Sequence, residues 1–263
     1  MNAQPRATLG PTLFISHGAP TSVNGATAGC WRALSADLVR PEAVVAVSAH
    51  WIEDHITVGR SPRPHTIHDF SGFPDSLYQL NYPAPGAPGL ADRVQALLTK
   101  AGLDPQGDDH RGLDHGVWVP LMNLFPEADI PVVPVSLSAR GGPPLHVSVG
   151  RALAPLRAEN ILIVTSGGLT HNLGALIPGG TVAPPEWVTT FQKWIHRALV
   201  ERRLDDLIGY RARAPHAVQS HPSEEHLLPL FVALGAAGEA LIADQVCHGY
   251  VYGTLAMDAY VFS

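Results

Sequence analysis

The sequence predicts an α/β fold: a single domain over residues 1–263, with a mostly parallel central sheet flanked by helices. Three observations carry that expectation. Short apolar runs rich in β-branched residues recur along the chain, helical stripes separate several of them, and 46% of the 263 residues are hydrophobic against 15% charged. Near-continuous apolarity over a strand length suits a sheet covered on both faces, and strand–helix alternation favours parallel order.

Taken in chain order, residues 12–16 (TLFIS), 43–49 (AVVAVSA), 131–137 (PVVPVSL) and 160–165 (NILIVT) read as buried strands. Leu90, Val94, Leu97, Leu98 and Ala101 fall on one helical face that Gly102 ends. A second helix follows Pro184-Pro185 and carries Trp187, Phe191, Trp194, Ile195, Ala198 and Leu199 on one stripe. A third covers about 226–237, with Pro229 early enough to sit in its first turn. ALIADQV and YVYGTLAMDAYVF near the C-terminus read as two final strands. The Pro/Gly-rich stretches 60–89, 140–144 and 174–185 are loops. The first is too long for a plain connector, and its Phe70, Phe73, Tyr78 and Tyr82 mark it as a lid or binding loop.

Composition removes several function classes. A net charge of −6 gives no general attraction to phosphate backbones, so no nucleic-acid partner is expected. No apolar run approaches the ~18 residues of a membrane span. The first residues (MNAQPRATLG) lack the basic and apolar regions of a secretion signal, which favours the cytoplasm. Cys30 and Cys247 are too few for a disulfide framework and are expected to be reduced there.

The surplus is in histidine, 14 residues. TLFIS runs into His17, AVVAVSA into His50, and ILIVT into a glycine turn followed by His171. Ligand sites in open α/β sheets lie outside the carboxyl ends of the strands, so parallel strands would gather these three on one edge. His115 sits in a Gly-bounded loop with Asp114, and His226 at the entrance of the third helix. His65, His110, His146, His196, His216 and His248 read as ordinary surface or hydrogen-bonded core residues. His17 and His50 do not, because an unpartnered imidazole at the end of a buried strand is costly to desolvate. His17, His50 and His226 are far apart in sequence, so a metal site must be assembled by the fold. Dispersed imidazoles suit zinc, iron, copper or nickel rather than calcium or magnesium.

SHGAP (16–20), SAHW (48–51), IHDFSGFPDSLYQLNYPAPG (67–86), GLDHGVWVPL (112–121), THNL (170–173) and HPSEEHLLPL (221–230) occur in that order. Together they resemble the DOPA-dioxygenase branch of the class III extradiol ring-cleavage dioxygenases, a LigB-like superfamily, over about residues 12–255. The resemblance implies metal ligands His17, His50 and His226. It makes His171 a base beside the metal, or a fourth ligand in a resting zinc form, and His115 a second active-site histidine facing the substrate. It implies Fe(II) for activity, with Zn(II) in a resting or purified form, and a catechol opened by O2 to a muconic semialdehyde. Protocatechuate-cleaving relatives use two histidines and a glutamate; here the third position is His226, beside Glu225. Trp51 and the aromatic residues of 70–82 are candidates for a wall over a planar ring, and Arg111 and Arg63 for a substrate carboxylate. A zinc hydrolase on the same imidazoles and a non-enzymatic relative are the alternatives. The oligomeric state, monomer or homodimer, stays open.

Overall fold

Among the described residues, eight strands make one sheet in the order β4-β3-β5-β2-β6-β1-β10-β7. The computed structural model describes residues 9–177, 183–239 and 241–263. Residues 178–182 of the loop expected at 174–185, residue 240 of an expected strand and the first eight residues lie outside that description.

In chain order the elements are β1 (Thr12–Ser16), α1 (Ala26–Asp37), β2 (Ala43–Glu53), β3 (Thr57–Gly59), α2 (Asp75–Tyr78), α3 (Pro88–Lys100), β4 (Gln106–Asp108), α4 (His115–Leu124), β5 (Val132–Ser138), α5 (Gly142–Leu153) and β6 (Ile161–Gly167). Then follow α6 (Glu186–Val200), α7 (Leu204–Ile208), α8 (Tyr210–Arg213), α9 (Ala217–Ser220), α10 (Leu228–Ala237), β7 (Ala243–Cys247), β8 (Tyr250–Val251), β9 (Leu255–Ala256) and β10 (Ala259–Phe262).

The central four strands, β5, β2, β6 and β1, are mutually parallel. Antiparallel joins of β3 to β5 and of β10 to β1 and β7 add the flanks. The four expected strands are the four parallel ones, so their apolar runs identified the centre of the sheet. Alternate residues divide between two cores, as the period of two requires. Val45, Val47, Val133 and Val135 face α3, α5, α6 and α10, whereas Val44, Ala46, Leu13 and Ile15 face α1 and α4. Helix α10 is apolar all round and buried, so it packs without an exposed stripe. It touches α5 backbone to backbone: a Cβ on Gly150 would lie 2.0 Å from the Val232 carbonyl oxygen, and one on Gly235 2.1 Å from that of Val147.

The sequence reading missed α1 and α5. In α1 only Ala28, Trp31 and Leu34 are buried, a stripe too thin to register. Helix α5 opens on Gly142-Pro143-Pro144, taken as loop, yet proline is well placed where first-turn N–H groups have no intrahelical partner. The loop after β3 is ordered. Thr66 bridges Leu113, Trp118 Nε1 donates to the Ile67 carbonyl, and Tyr82 OH donates to that of Phe125.

One expectation is corrected. Cys30 on α1 and Cys247 on β7 form a disulfide, with an S–S distance of 1.96 Å, rather than remaining reduced. Composition alone could not show that the two meet, because 217 residues separate them. Among the described residues no helix is long and apolar enough to cross a membrane.

Candidate metal and active site

Five histidines from five different segments converge at the carboxyl edge of the parallel strands. His17 immediately follows β1, and its backbone N–H donates to the Gly167 carbonyl, continuing the β1–β6 ladder by one bond. His50 lies in an irregularity of β2: Val47 pairs with Val135 and Ile52 with Leu137, so Ser48 to Trp51 stand opposite Ser136 alone. Such a bulge re-aims side chains near a strand end. His226 precedes α10, and its carbonyl accepts from Gly168 N–H at 2.8 Å. Gly167 makes that approach possible, since a Cβ there would lie 2.1 Å from the same oxygen. His115 opens α4 rather than sitting in a loop, and His171 is held by its N–H on the Ser220 carbonyl.

The rings crowd together. Centroid separations are 4.9 Å for His17–His50, 5.6 Å for His17–His226 and 5.0 Å for His50–His226. His50 Nε2 lies 3.0 Å from His17 Nε2, and one nitrogen from each of the three rings lies within 4.8 Å of the others. Each ring has a partner at its other nitrogen. Ser166 Oγ is 2.9 Å from His17 Nδ1, Asp69 Oδ2 is 3.2 Å from His50 Nδ1, and Glu225 Oε1 is 3.1 Å from His226 Nδ1. Among the described residues, His226 Nε2 is buried with no hydrogen-bond partner. Outer partners at Nδ1, the close pair of Nε2 atoms on His17 and His50 and the unpartnered Nε2 of His226 make a donor set that could hold a borderline cation.

Burial sets the protonation. It lowers His17 well below the usual histidine range, helped by repulsion from the other rings. Burial and His115 bring His50 to about 2, and burial and His226 bring His171 to about 3. His226 is also lowered by burial, against the pull of Glu225. The rings are therefore neutral at ordinary pH, the form that binds metal.

A scan against family models matches residues 11–263 to the catalytic LigB subunit of aromatic ring-opening dioxygenase. The chain belongs to the LigB family of aromatic ring-opening dioxygenases. It is 39% identical to the 4,5-DOPA dioxygenase extradiol of Beta vulgaris, across 96% of each chain. Against the protein of that name from Escherichia coli K12 it is 38% identical, across 94% of this chain and 92% of the relative. A solved structure of an uncharacterized protein from Escherichia coli K12 superposes with a TM-score of 0.81 at 32% identity, covering 96% of this chain and 99% of that one. The chain is thus an oxidoreductase, an extradiol ring-opening dioxygenase acting on an aromatic substrate with O2 through a non-haem metal site. The hydrolase and non-enzymatic alternatives are not favoured.

Within this LigB site, His171 stacks face to face on His226, with centroids 3.3 Å apart and planes inclined by 5°. Its nitrogen groups with Glu225 and His226 rather than with the His17–His50–His226 set. His115 lies 4.0 Å from His50, ring to ring. Phe70 meets His115 edge-on at 5.8 Å and packs on Tyr78, so part of the expected aromatic wall is present. Tyr82 and Trp51 are instead buried core residues.

Arg111 is not free for a substrate: it pairs with Asp114 at 2.8 Å and lies over the Trp51 ring. Arg63 is exposed on the loop. Asp114 is buried, accepting from Ser48 Oγ and Arg111, so its carboxylate does not orient His115. Asp69 contacts both His50 and His115, and sequence reasoning missed it. Its only signal was its place within the IHDF motif beside His68, which drew attention instead. Ser166 had no signal beyond its strand end.

His146 is the satisfied core histidine expected, bonded to Ser138 N–H and the Gly142 carbonyl. A concavity of about 980 Å³ beside α6 and β8 contains none of the five site histidines. Donor chemistry, not volume, marks the site.

Proposed function

We propose that residues 1–263 form one catalytic domain that opens a catechol, DOPA-like in having a side chain on the ring, to a muconic semialdehyde. His17, His50 and His226 would hold the metal, Fe(II) for activity, with Zn(II) as a resting or as-purified occupant. The observation supporting this most is that all three Nδ1 atoms have protein partners while one nitrogen from each ring lies within 4.8 Å of the others. A bound divalent iron supplies the electron exchange that lets a singlet aromatic ring react with triplet dioxygen.

The chain's own residues bind, orient and move protons. His171, by its place stacked on His226, is the base that would take a proton from a catechol hydroxyl on entry. Its stacking on His226 fixes the ring plane, so the substrate oxygen would be deprotonated beside the ligand set. A fourth-ligand role for His171 belongs to the resting zinc form. His115 faces the substrate from the N-terminus of α4 and exchanges a proton with the opening ring. Phe70 supplies an apolar edge beside it.

A cytoplasmic location is part of this reading. The Cys30–Cys247 bridge is the observation against it, since structural disulfides are rare in that compartment. Alkylation of thiols in intact cells decides. The activity is tested by anaerobic reconstitution with Fe(II), a panel of catechols and an oxygen electrode. Catechol-dependent oxygen uptake with a yellow semialdehyde is expected; uptake absent across the panel overturns the reading.

A further inference from the structure

Asp69 lies on the loop between β3 and α2, and its carboxylate touches both ends of the histidine cluster. Oδ1 accepts the backbone N–H of His115 at 2.9 Å and lies 2.9 Å from His115 Nδ1; Oδ2 lies 3.2 Å from His50 Nδ1. Neither ring contact is well aligned along an N–H bond. At these separations a carboxylate oxygen attracts an N–H and repels a nitrogen lone pair, which favours the proton on each Nδ1. That leaves Nε2 of each ring with its lone pair, and His50 Nε2 is the atom beside His17 Nε2.

The loop segment is fixed on both sides. Ile67 N–H donates to the Leu113 carbonyl, Leu113 N–H to the His65 carbonyl, and Trp118 Nε1 to the Ile67 carbonyl. The next residue, Phe70, packs against His115. A shared carboxylate is also the one form that serves here. It accepts at both oxygens, whereas an amide would turn its NH2 toward one of the protonated Nδ1 atoms. The set of three neutral imidazoles carries no charge of its own to offset a divalent cation, and Asp69 and Glu225 supply negative charge one bond outside it.

We infer that Asp69 is a positioning residue that sets the tautomers of His50 and His115 together, coupling metal retention to the substrate-facing histidine. The inference rests on the metal-binding reading of His17, His50 and His226. An Asp69→Asn protein would force one of the two rings into the wrong tautomer. Its metal affinity should fall about 10–100-fold, the usual cost of losing an outer partner of a ligand histidine. At saturating metal its kcat should still fall at least about tenfold, with a smaller change in KM, because His115 is misoriented too.

The test titrates Zn(II) and Fe(II) against a chromophoric chelator without substrate, then measures kcat and KM at saturating Fe(II). Asp69→Glu keeps the charge on a longer stem and should recover part of the affinity. An Asp69→Asn protein that binds metal within about threefold of wild type overturns the proposal. So does one that loses affinity yet regains full kcat at saturating metal, or an Asp69→Glu protein as impaired as Asp69→Asn. Failure of the underlying reading looks different: wild-type protein itself then takes up no metal, or consumes no oxygen with any catechol.

Discussion

Gly167→Ala tests how the end of β6 holds His226. The added methyl would lie 2.1 Å from the His226 carbonyl oxygen and 3.1 Å from both its carbon and Pro229 Cγ. Ordinary contact is near 3.4 Å, so the two backbones must separate by about 1 Å, and neither is a flexible side chain that can turn away. That separation removes the Gly168 N–H bond to the same carbonyl, 2.8 Å long, which contributes about 1 kcal/mol. Overpacking adds about 1–3 kcal/mol, for a total loss of about 2–4 kcal/mol. The shift also carries His226 Nε2 away from the other two nitrogens, and a displacement near 1 Å can cost about a hundredfold in function. Urea unfolding of the metal-free protein measures the first effect, and chelator competition the second. Gly29→Ala is the control: it lies inside α1, where the added Cβ meets no described atom within 4 Å beyond its chain neighbours and its own helix backbone, and should stabilise by up to about 1 kcal/mol. A Gly167→Ala protein within about 0.5 kcal/mol of wild type and with unchanged metal affinity would refute the reasoning.

Three further outcomes are expected. His171→Ala should lower kcat about 10²–10⁴-fold while metal affinity stays within about threefold, measured by oxygen uptake and chelator competition; loss of the metal as well assigns His171 to the ligand set. Burial holds His17, His50, His171 and His226 neutral in the folded state, so below about pH 6.5 the unfolded chain binds protons that the folded one does not. Stability of the metal-free protein should therefore fall as pH drops from about 6.5, by up to about 1.4 kcal/mol per pH unit for each such histidine. Equal urea midpoints at about pH 7.5 and 5.5 would contradict this. Thiol titration should find no free thiol, and Cys30→Ser should cost about 2–5 kcal/mol, since the bridge closes a long loop; two free thiols in air-oxidised protein would oppose it.

What was legible in the sequence follows the strength of the local signal. Residues 12–16, 43–49, 131–137 and 160–165 are apolar on both faces because they lie at the sheet centre, and that registers without any tertiary information. Helix α1 buries three side chains and α5 begins with prolines, so neither stands out. His17 and His50 stood out because unpartnered imidazoles ending buried runs are costly, whereas His226 entered the proposed ligand set through the resemblance of the surrounding motifs to a known family. Asp69 was not, since a carboxylate in a polar loop looks solvated until the fold brings two imidazoles to it. The disulfide depends on a meeting of α1 with β7 that no local pattern encodes.

The most direct test of the central claim is mass spectrometry of the product formed by Fe(II)-reconstituted protein from a catechol under heavy-isotope dioxygen. A ring-opened semialdehyde carrying oxygen label from the gas is expected, and its formation should disappear in a His17→Ala, His50→Ala or His226→Ala protein. An intact ring, or a product whose new oxygen comes from water alone, would contradict the account.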